Sequence, residues 1–321
     1  MCGLMDNFSR GVQAAVWAFP ALVMSLIVFP YVVTGDQEFY RSFYEGVAEL
    51  PFAQGFDFYK SSLGTSEPGY FLLAYLFSGL ISKDLLFSIL NFILFHQLFL
   101  WMLRNDVSRF LYPLCYLNFY ILVLAFSAER LKLSLLLFLI GCCASSVWRV
   151  LFFIASIFSH VQVLILIVLT QIRKLYEVLS DLVLGRVGYG FLSLSILSLF
   201  MIIVLFLLKG HIVSKLHAYI GVWGGEEAML KPLVFTVLSM LYAQNNRLEA
   251  FAASLPLVVC AYFVGGERIV IFSFFVFMFY ALQFKRGLNW GVAITSLYFS
   301  YQGLFFVVNI FSHGDGFAGA Y

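Results

Sequence analysis

The sequence predicts an all-α polytopic membrane protein with roughly ten to eleven transmembrane helices, some of them re-entrant. Only 11% of its 321 residues are charged and 62% are hydrophobic, whereas a soluble domain carries about 25% charged residues. The apolar residues form long continuous runs that do not alternate with a period of two, which argues against a transmembrane barrel. Since one helical span needs ~20 apolar residues, little of the chain remains for a soluble domain. We therefore expect a single polytopic membrane domain over residues 1–321.

The apolar runs, taken in order, give the predicted membrane segments. The first run lacks the pattern of a cleavable signal and is long enough to remain as an anchor. The segments are residues 13–33, 68–82, 85–103, 110–126, 131–140, a further run reaching residue 170, 189–208, 228–243, 251–264, 269–284 and 288–310. We expect residues 68–82 and one part of 131–170 to be re-entrant, because both halves of the chain then obey the positive-inside rule.

Two polar stretches, at about residues 34–67 and 209–227, are predicted to be the large outer loops. The first is rich in carboxylates and poor in bases, which suits the non-cytoplasmic side. The basic pair at 285–286 marks the cytoplasmic side. This topology places Arg130, Arg268 and the first outer loop on one non-cytoplasmic face.

The stretch 127–162 carries polar residues within or beside apolar segments, where transfer from water into the membrane costs free energy. Arg130 begins one apolar segment and His160 lies inside the next. A polar side chain that has lost bulk water needs a partner or serves a function. Glu129 offers Arg130 an acidic neighbour, so a purely structural ion pair is an alternative. The pair at 267–268 occupies a similar place later in the chain.

The residue types narrow the chemistry of this candidate site. A net charge of +2 and the absence of a basic tract give no reason to expect nucleic acid. The five cysteines lack metal-ligand spacing, and we predict neither a metal nor a cofactor. Phosphate-loop, zinc-protease and α/β-hydrolase motifs are absent from the sequence. The guanidinium of arginine is planar and permanently charged, and it can bind phosphate through two hydrogen bonds. The residues alone therefore predict an outer site that binds a phosphate or other anionic head group, with a sugar as a further option.

Five short motifs follow one another in a fixed order along residues 36–284. They are Asp36-x3-Tyr40-x3-Tyr44, Glu67-Pro68-Gly69-Tyr70, Arg130 at the head of a span, the run Ile154–His160, and Arg268 at the head of another span. In this order they resemble the EpsG-like branch of Wzy-type polysaccharide repeat-unit polymerases. The chain departs from that family after Arg130, where Leu-Lys-Leu-Ser replaces the usual Arg-Gln and nearby Ala. It also departs after His160, where Val-Gln replaces the usual small polar residue and Ala.

The resemblance implies a metal-independent glycosyltransferase of the bacterial inner (plasma) membrane. Such an enzyme polymerises undecaprenyl-diphosphate-linked oligosaccharide repeat units into O-antigen, capsule or exopolysaccharide at the outer face. Catalysis is then assigned to Arg130, His160, Arg268 and Glu67, and substrate binding to Asp36, Tyr40, Tyr44 and Tyr70. The arginines would stabilise charge on the diphosphate, while the base stays open between His160, Glu67 and Asp36. The implied partners are the lipid-linked oligosaccharide, membrane lipid, a chain-length regulator and a flippase.

Three other functions fit some of the same residues. A flippase or transporter of lipid-linked sugars would use the same anion-binding arginines, but transporter halves often show internal repeats, and none is apparent here. A polyprenyl-phosphate-sugar-dependent glycosyltransferase would place its catalytic acid early in the first outer loop, where Asp36 lies. A structural scaffold gives no reason for His160 inside an apolar segment.

Overall fold

The structure is a computed structural model, and it describes residues 2–207, 209, 210, 213 and 225–318. Every regular element in these residues is a helix. Several of the helices are long and apolar enough to cross a membrane. The predicted class, an all-α polytopic membrane protein, is therefore confirmed.

The described residues form α-helices joined by short turns and a few 3₁₀ turns. In chain order they are α1 (Cys2–Val28), α2 (Asp36–Val47), α3 (Phe52–Leu63), α4 (Pro68–Phe77), α5 (Lys83–Arg104), α6 (Tyr112–Leu117), α7 (Phe119–Phe126), α8 (Glu129–Cys143), α9 (Ser146–Ser159), α10 (Val163–Thr170), α11 (Ile172–Val183), α12 (Tyr189–Leu207), α13 (Glu226–Tyr242), α14 (Arg247–Val264), α15 (Gly266–Gln283) and α16 (Trp290–His313).

Fewer helices than predicted are long enough to span a membrane. Within the described residues they are Phe8–Tyr31, Lys83–Arg104, Ile269–Gly287 and Trp290–His313. A fifth span results if Arg109–Leu117 and Phe119–Phe126, which meet at a 55° bend, cross together. Three further predicted runs form single helices of 17 to 19 residues, α12, α13 and α14, and the others form shorter helices.

The two runs that we expected to re-enter the membrane consist of such short helices. Residues 68–82 contain α4, whose ten residues extend over about 15 Å, half the ~30 Å of the hydrocarbon core. Residues 131–170 are divided among α8, α9 and α10, none longer than 15 residues. A break between α8 and α9 at Ala144–Ser145 separates the first two.

The first predicted outer loop is itself helical, because it contains α2 and α3. Helix α2 begins with acidic residues in its first turn. Their negative charge stabilises the helix, because its N-terminus is the positive end of the helix dipole. It buries Tyr40, Phe43, Tyr44 and Val47, an i, i+3, i+4, i+7 set that lies on one helix face. Helix α3 ends at Gly64 in the left-handed conformation (φ 57°), and the following turn leads to Glu67.

One compact unit comprises Met1–Val163 and Lys285–Tyr321. Within it α1 packs along α5, α8 against α9, and α16 against α6 and α7. Gly303 of α16 lies directly against the carbonyl of Leu117, leaving no room for a Cβ atom. Small residues allow such close helix contacts in membrane proteins.

A second compact unit comprises Leu164–Phe284. Its helices α13, α14 and α15 pack on one another, and Gly266 at the start of α15 lies against the backbone of Ala228 in α13. The predicted second outer loop, at about 209–227, lies largely outside the described residues.

Candidate active site

Glu67 lies at the centre of a buried cluster that four separate segments of the chain build. It ends the turn between α3 and α4, and only 1% of it is exposed. Its Oε2 accepts hydrogen bonds from Arg130 Nη1 at 3.0 Å and from the Thr65 hydroxyl at 3.3 Å. Its Oε1 accepts one from the backbone amide of Val161 at 2.9 Å. Both oxygens also lie near Nδ1 of His160, at 3.0 and 3.1 Å. Partners on both oxygens are what a buried carboxylate requires.

Arg130 joins this carboxylate to an aromatic side chain. It lies in the first turn of α8, and its side chain is 13% exposed. Its Nε donates to the hydroxyl of Tyr40 at 3.0 Å. Its Nη2 has no hydrogen-bond partner among the described residues, and the hydroxyl hydrogen of Tyr40 has no acceptor there either. Two neighbouring donor groups thus have no acceptor among the described residues.

His160 follows the last residue of α9, where an extended backbone (φ −162°, ψ 119°) ends the helix. Its Nδ1 faces Glu67, and its Nε2 lies 3.1 Å from Oε1 of Gln162. The hydroxyl of Ser134 in α8 donates to the carbonyl oxygens of Ser156 and His160, at 2.8 and 3.3 Å. These bonds fix the end of α9 to α8, the helix that carries Arg130.

The Glu-Pro-Gly-Tyr motif has a physical reason at each position. Pro68 opens α4 at a position where the missing N–H is not needed. Gly69 lies against the backbone of Ser159, and a Cβ there would come within 2.7 Å of the Cα of Ser159. Tyr70 is fully buried, and its hydroxyl donates to Oε2 of Glu129 at 2.7 Å. The glycine therefore lets α4 approach the end of α9, which brings Glu67 to His160.

We expect Gly69→Ala to loosen this contact and lower stability by about 1–3 kcal/mol, the usual effect of overpacking. The measurement is thermal unfolding of the full chain in detergent. Gly79→Ala is the matched control, because no atom lies within 4 Å of a Cβ built there. Equal melting temperatures for the two variants would contradict the role of Gly69.

The predicted substrate-binding residues occupy different environments. Asp36 is exposed at the start of α2. Tyr40 belongs to the cluster, and its ring centroid lies 5.3 Å from that of Tyr70. Tyr44 is 2% exposed, and its hydroxyl donates to the carbonyl of Ile81 at 3.0 Å. The hydroxyls of Tyr44 and Tyr70 thus serve the protein interior, whereas that of Tyr40 keeps a free hydrogen.

Arg268 lies in α15, within the unit Leu164–Phe284. Its side chain lies outside the part of the chain that the structure describes. Its assignment to catalysis stays a prediction.

The surroundings of Glu67 keep this carboxyl ionised. Burial alone would raise its pKa, but the charge and hydrogen bond of His160, the charge of Arg130 and the amide of Val161 outweigh that effect. Together they lower the pKa of Glu67 from 4.5 to about 2. An acid of this strength with both oxygens occupied is a weak general base.

A second buried polar cluster, next to the first, was not predicted from the sequence. Lys83 Nζ lies 2.8 Å from Oε1 of Glu129 and donates to Oε1 of Gln37 at 2.7 Å. The expected structural alternative, a Glu129–Arg130 ion pair, is therefore wrong: Glu129 pairs with Lys83, and Arg130 pairs with Glu67. One signal was present in the sequence, because a lysine in the first turn of a helix faces the unfavourable end of its dipole.

Comparisons with known proteins identify no relative. The sequence matches no family model and no curated protein, and the fold matches no solved structure. Among the described residues, no three histidine, cysteine or acidic side chains are grouped as metal ligands would be.

Proposed function

We propose that this multi-pass membrane protein is a glycosyltransferase that polymerises undecaprenyl-diphosphate-linked oligosaccharide repeat units. One observation carries the proposal. Four residues that the sequence singles out, Glu67, Arg130, His160 and Tyr40, lie in one hydrogen-bonded cluster although they are up to 120 positions apart along the chain. If these four residues had separate structural roles, there would be no reason for them to lie together.

Arg130 is the group best suited to the leaving diphosphate. When the bond between the sugar and the diphosphate breaks, negative charge grows on the phosphate oxygen. A fixed cation stabilises that transition state more than the ground state. The free Nη2 donors of Arg130 and the free hydroxyl hydrogen of Tyr40 are adjacent, so both can donate to one phosphoryl group. Glu67 holds the guanidinium in place from its other side.

His160 is the better candidate for the base that removes the proton of the acceptor hydroxyl. Glu67 is too weak a base, and its contact with Nδ1 suits it to orient the ring and stabilise the imidazolium that forms. In the neutral ring, Nδ1–H would donate to Glu67 and Nε2 would accept the proton. Gln162 lies beside Nε2, and its side chain has to move aside for the acceptor hydroxyl to reach this atom. Asp36, exposed at the edge of α2, remains the other candidate.

We expect cells that lose the protein to carry single repeat units on the lipid carrier instead of long chains. The measurement is the size distribution of the lipid-linked glycan, with and without a plasmid-borne copy of the gene. Complete repeat units retained on the cytoplasmic face would indicate a flippase. Repeat units that lack one sugar would indicate a polyprenyl-phosphate-sugar-dependent glycosyltransferase. Either result would overturn the polymerase.

A further inference from the structure

We propose that Lys83 is a positioning residue that holds the Arg130–Tyr40 pair in its working geometry. The proposal deepens the proposed function, because it explains how the cation of that site is fixed. It concerns the second buried cluster, formed by Lys83, Glu129 and Gln37.

Lys83 contacts both helices that carry the pair, through an ion pair with one and a hydrogen bond to the other. Its Nζ contacts Glu129, the neighbour of Arg130 in α8, and Gln37, which lies one turn before Tyr40 in α2. Residues three apart on a helix share a face, so Gln37 and Tyr40 both point toward α8. One ammonium group therefore links α2 and α8 at the level of the Arg130–Tyr40 bond.

The start of α8 is held by side chains from other helices. Its N-cap residue is Ala128, which offers no side-chain hydrogen bond to the first turn. Instead, Gln37 donates to the carbonyl of Ser127 at 3.4 Å, and Glu129 is held by Lys83 and by the hydroxyl of Tyr70. These bonds fix the rotation of the first turn and so the direction in which Arg130 leaves the helix.

Burial makes the link specific. The side chains of Lys83 and Glu129 are 5% and 0% exposed, and Gln37 is 3% exposed. Buried ionic groups hold their partners to one geometry because an alternative arrangement leaves a charge unpaired. A buried lysine in a membrane protein is energetically costly, so its place in this cluster indicates that it pairs with these partners.

The test measures the reactivity of Arg130 in the purified full chain in lipid nanodiscs. Phenylglyoxal modifies free guanidinium groups, and peptide mass spectrometry reads the rate at Arg130 alone. We expect Lys83→Met to raise this rate about tenfold, the effect of a coupling of moderate size between contacting residues. Lys83→Arg keeps the charge and should restore most of the protection.

Lys132→Met is the matched control. Lys132, in α8, is another buried lysine, but its Nζ donates to Asn91 and to the carbonyl of Ala125 and not to the helix that carries Tyr40. Its loss should leave the rate at Arg130 unchanged. A purely structural role for Lys83 predicts equal rates in the two methionine variants, which would overturn the proposal.

A second variant keeps the test decisive if Lys83→Met does not fold. Gln37→Leu removes the bond to α2 without leaving a charge unpaired, and it should raise the rate at Arg130 severalfold. An unchanged rate in Gln37→Leu would overturn the proposal in that case. The same variants are then assayed for glycan length. If the variants raise the modification rate at Arg130 but leave glycan length unchanged, the positioning role of Lys83 is supported. That result would count against the proposed polymerase.

Discussion

Replacing Arg130 with lysine is expected to lower the rate of glycan polymerisation by about 10²- to 10³-fold, the usual effect of losing one preorganised charge-stabilising donor. Lysine keeps the positive charge but has a single ammonium group. It cannot donate to Tyr40, Glu67 and a phosphoryl oxygen in three fixed directions, as the guanidinium does. The measurement is glycan chain length beside the amount of protein in the membrane.

Arg149→Lys is the control for this substitution. Arg149 is an exposed arginine of α9 whose Nη2 donates to the carbonyl of Ala144. We expect normal chain length from it. Full-length glycan from Arg130→Lys at normal protein level would remove Arg130 from the chemistry. Arg268→Lys in the same assay tests the second predicted cation.

The helical class and part of the site could be predicted from the sequence because both depend on local patterns. A low charge content and long apolar runs are enough to indicate membrane helices. The apolar face of α2 follows from its i, i+3, i+4, i+7 spacing. His160 was recognisable because a histidine within an apolar run is costly to bury, and Glu67 because it opens the Glu-Pro-Gly-Tyr motif.

The pairing of these residues could not be predicted, since it depends on contacts between distant parts of the chain. Arg130 has an acid next to it in sequence, yet it bonds Glu67, 63 positions away. Glu129 pairs with Lys83. In the sequence, Lys83 lies in a short polar connection between two apolar runs. Adjacent residues of a helix point about 100° apart, so Glu129 and Arg130 naturally serve different partners.

Among the described residues, the number of helices long enough to span falls below the prediction for a related reason. Composition measures how apolar a run is, but it does not show where the helix breaks. The run 131–170 is apolar for most of its length, yet it divides into three helices. One break brings His160 out of α9 to face Glu67, and this interruption of the helix supplies the site with its histidine.

Glu67→Gln is expected to have the largest effect on stability, because it leaves Arg130 without its counter-ion and His160 without its carboxylate partner. Removing one partner of a buried ion pair typically costs about 3–5 kcal/mol. The lowered pKa of Glu67, 4.5 to about 2, gives a similar figure of about 3 kcal/mol. Thermal unfolding of the full chain in detergent measures the loss. Glu45→Gln, which changes an exposed acid of α2, should change the melting temperature little.

The same pKa sets the pH dependence of this contribution. Folded Glu67 binds a proton less readily than unfolded Glu67, so its contribution is complete above pH 4.5. It decreases as the pH falls toward 2, because the unfolded state then takes up the proton first. The wild type should therefore lose stability relative to Glu67→Gln over this range, and the two unfolding curves should converge. A difference in melting temperature that stays constant between pH 6 and pH 3 would show that the ionised carboxylate of Glu67 does not hold the cluster together.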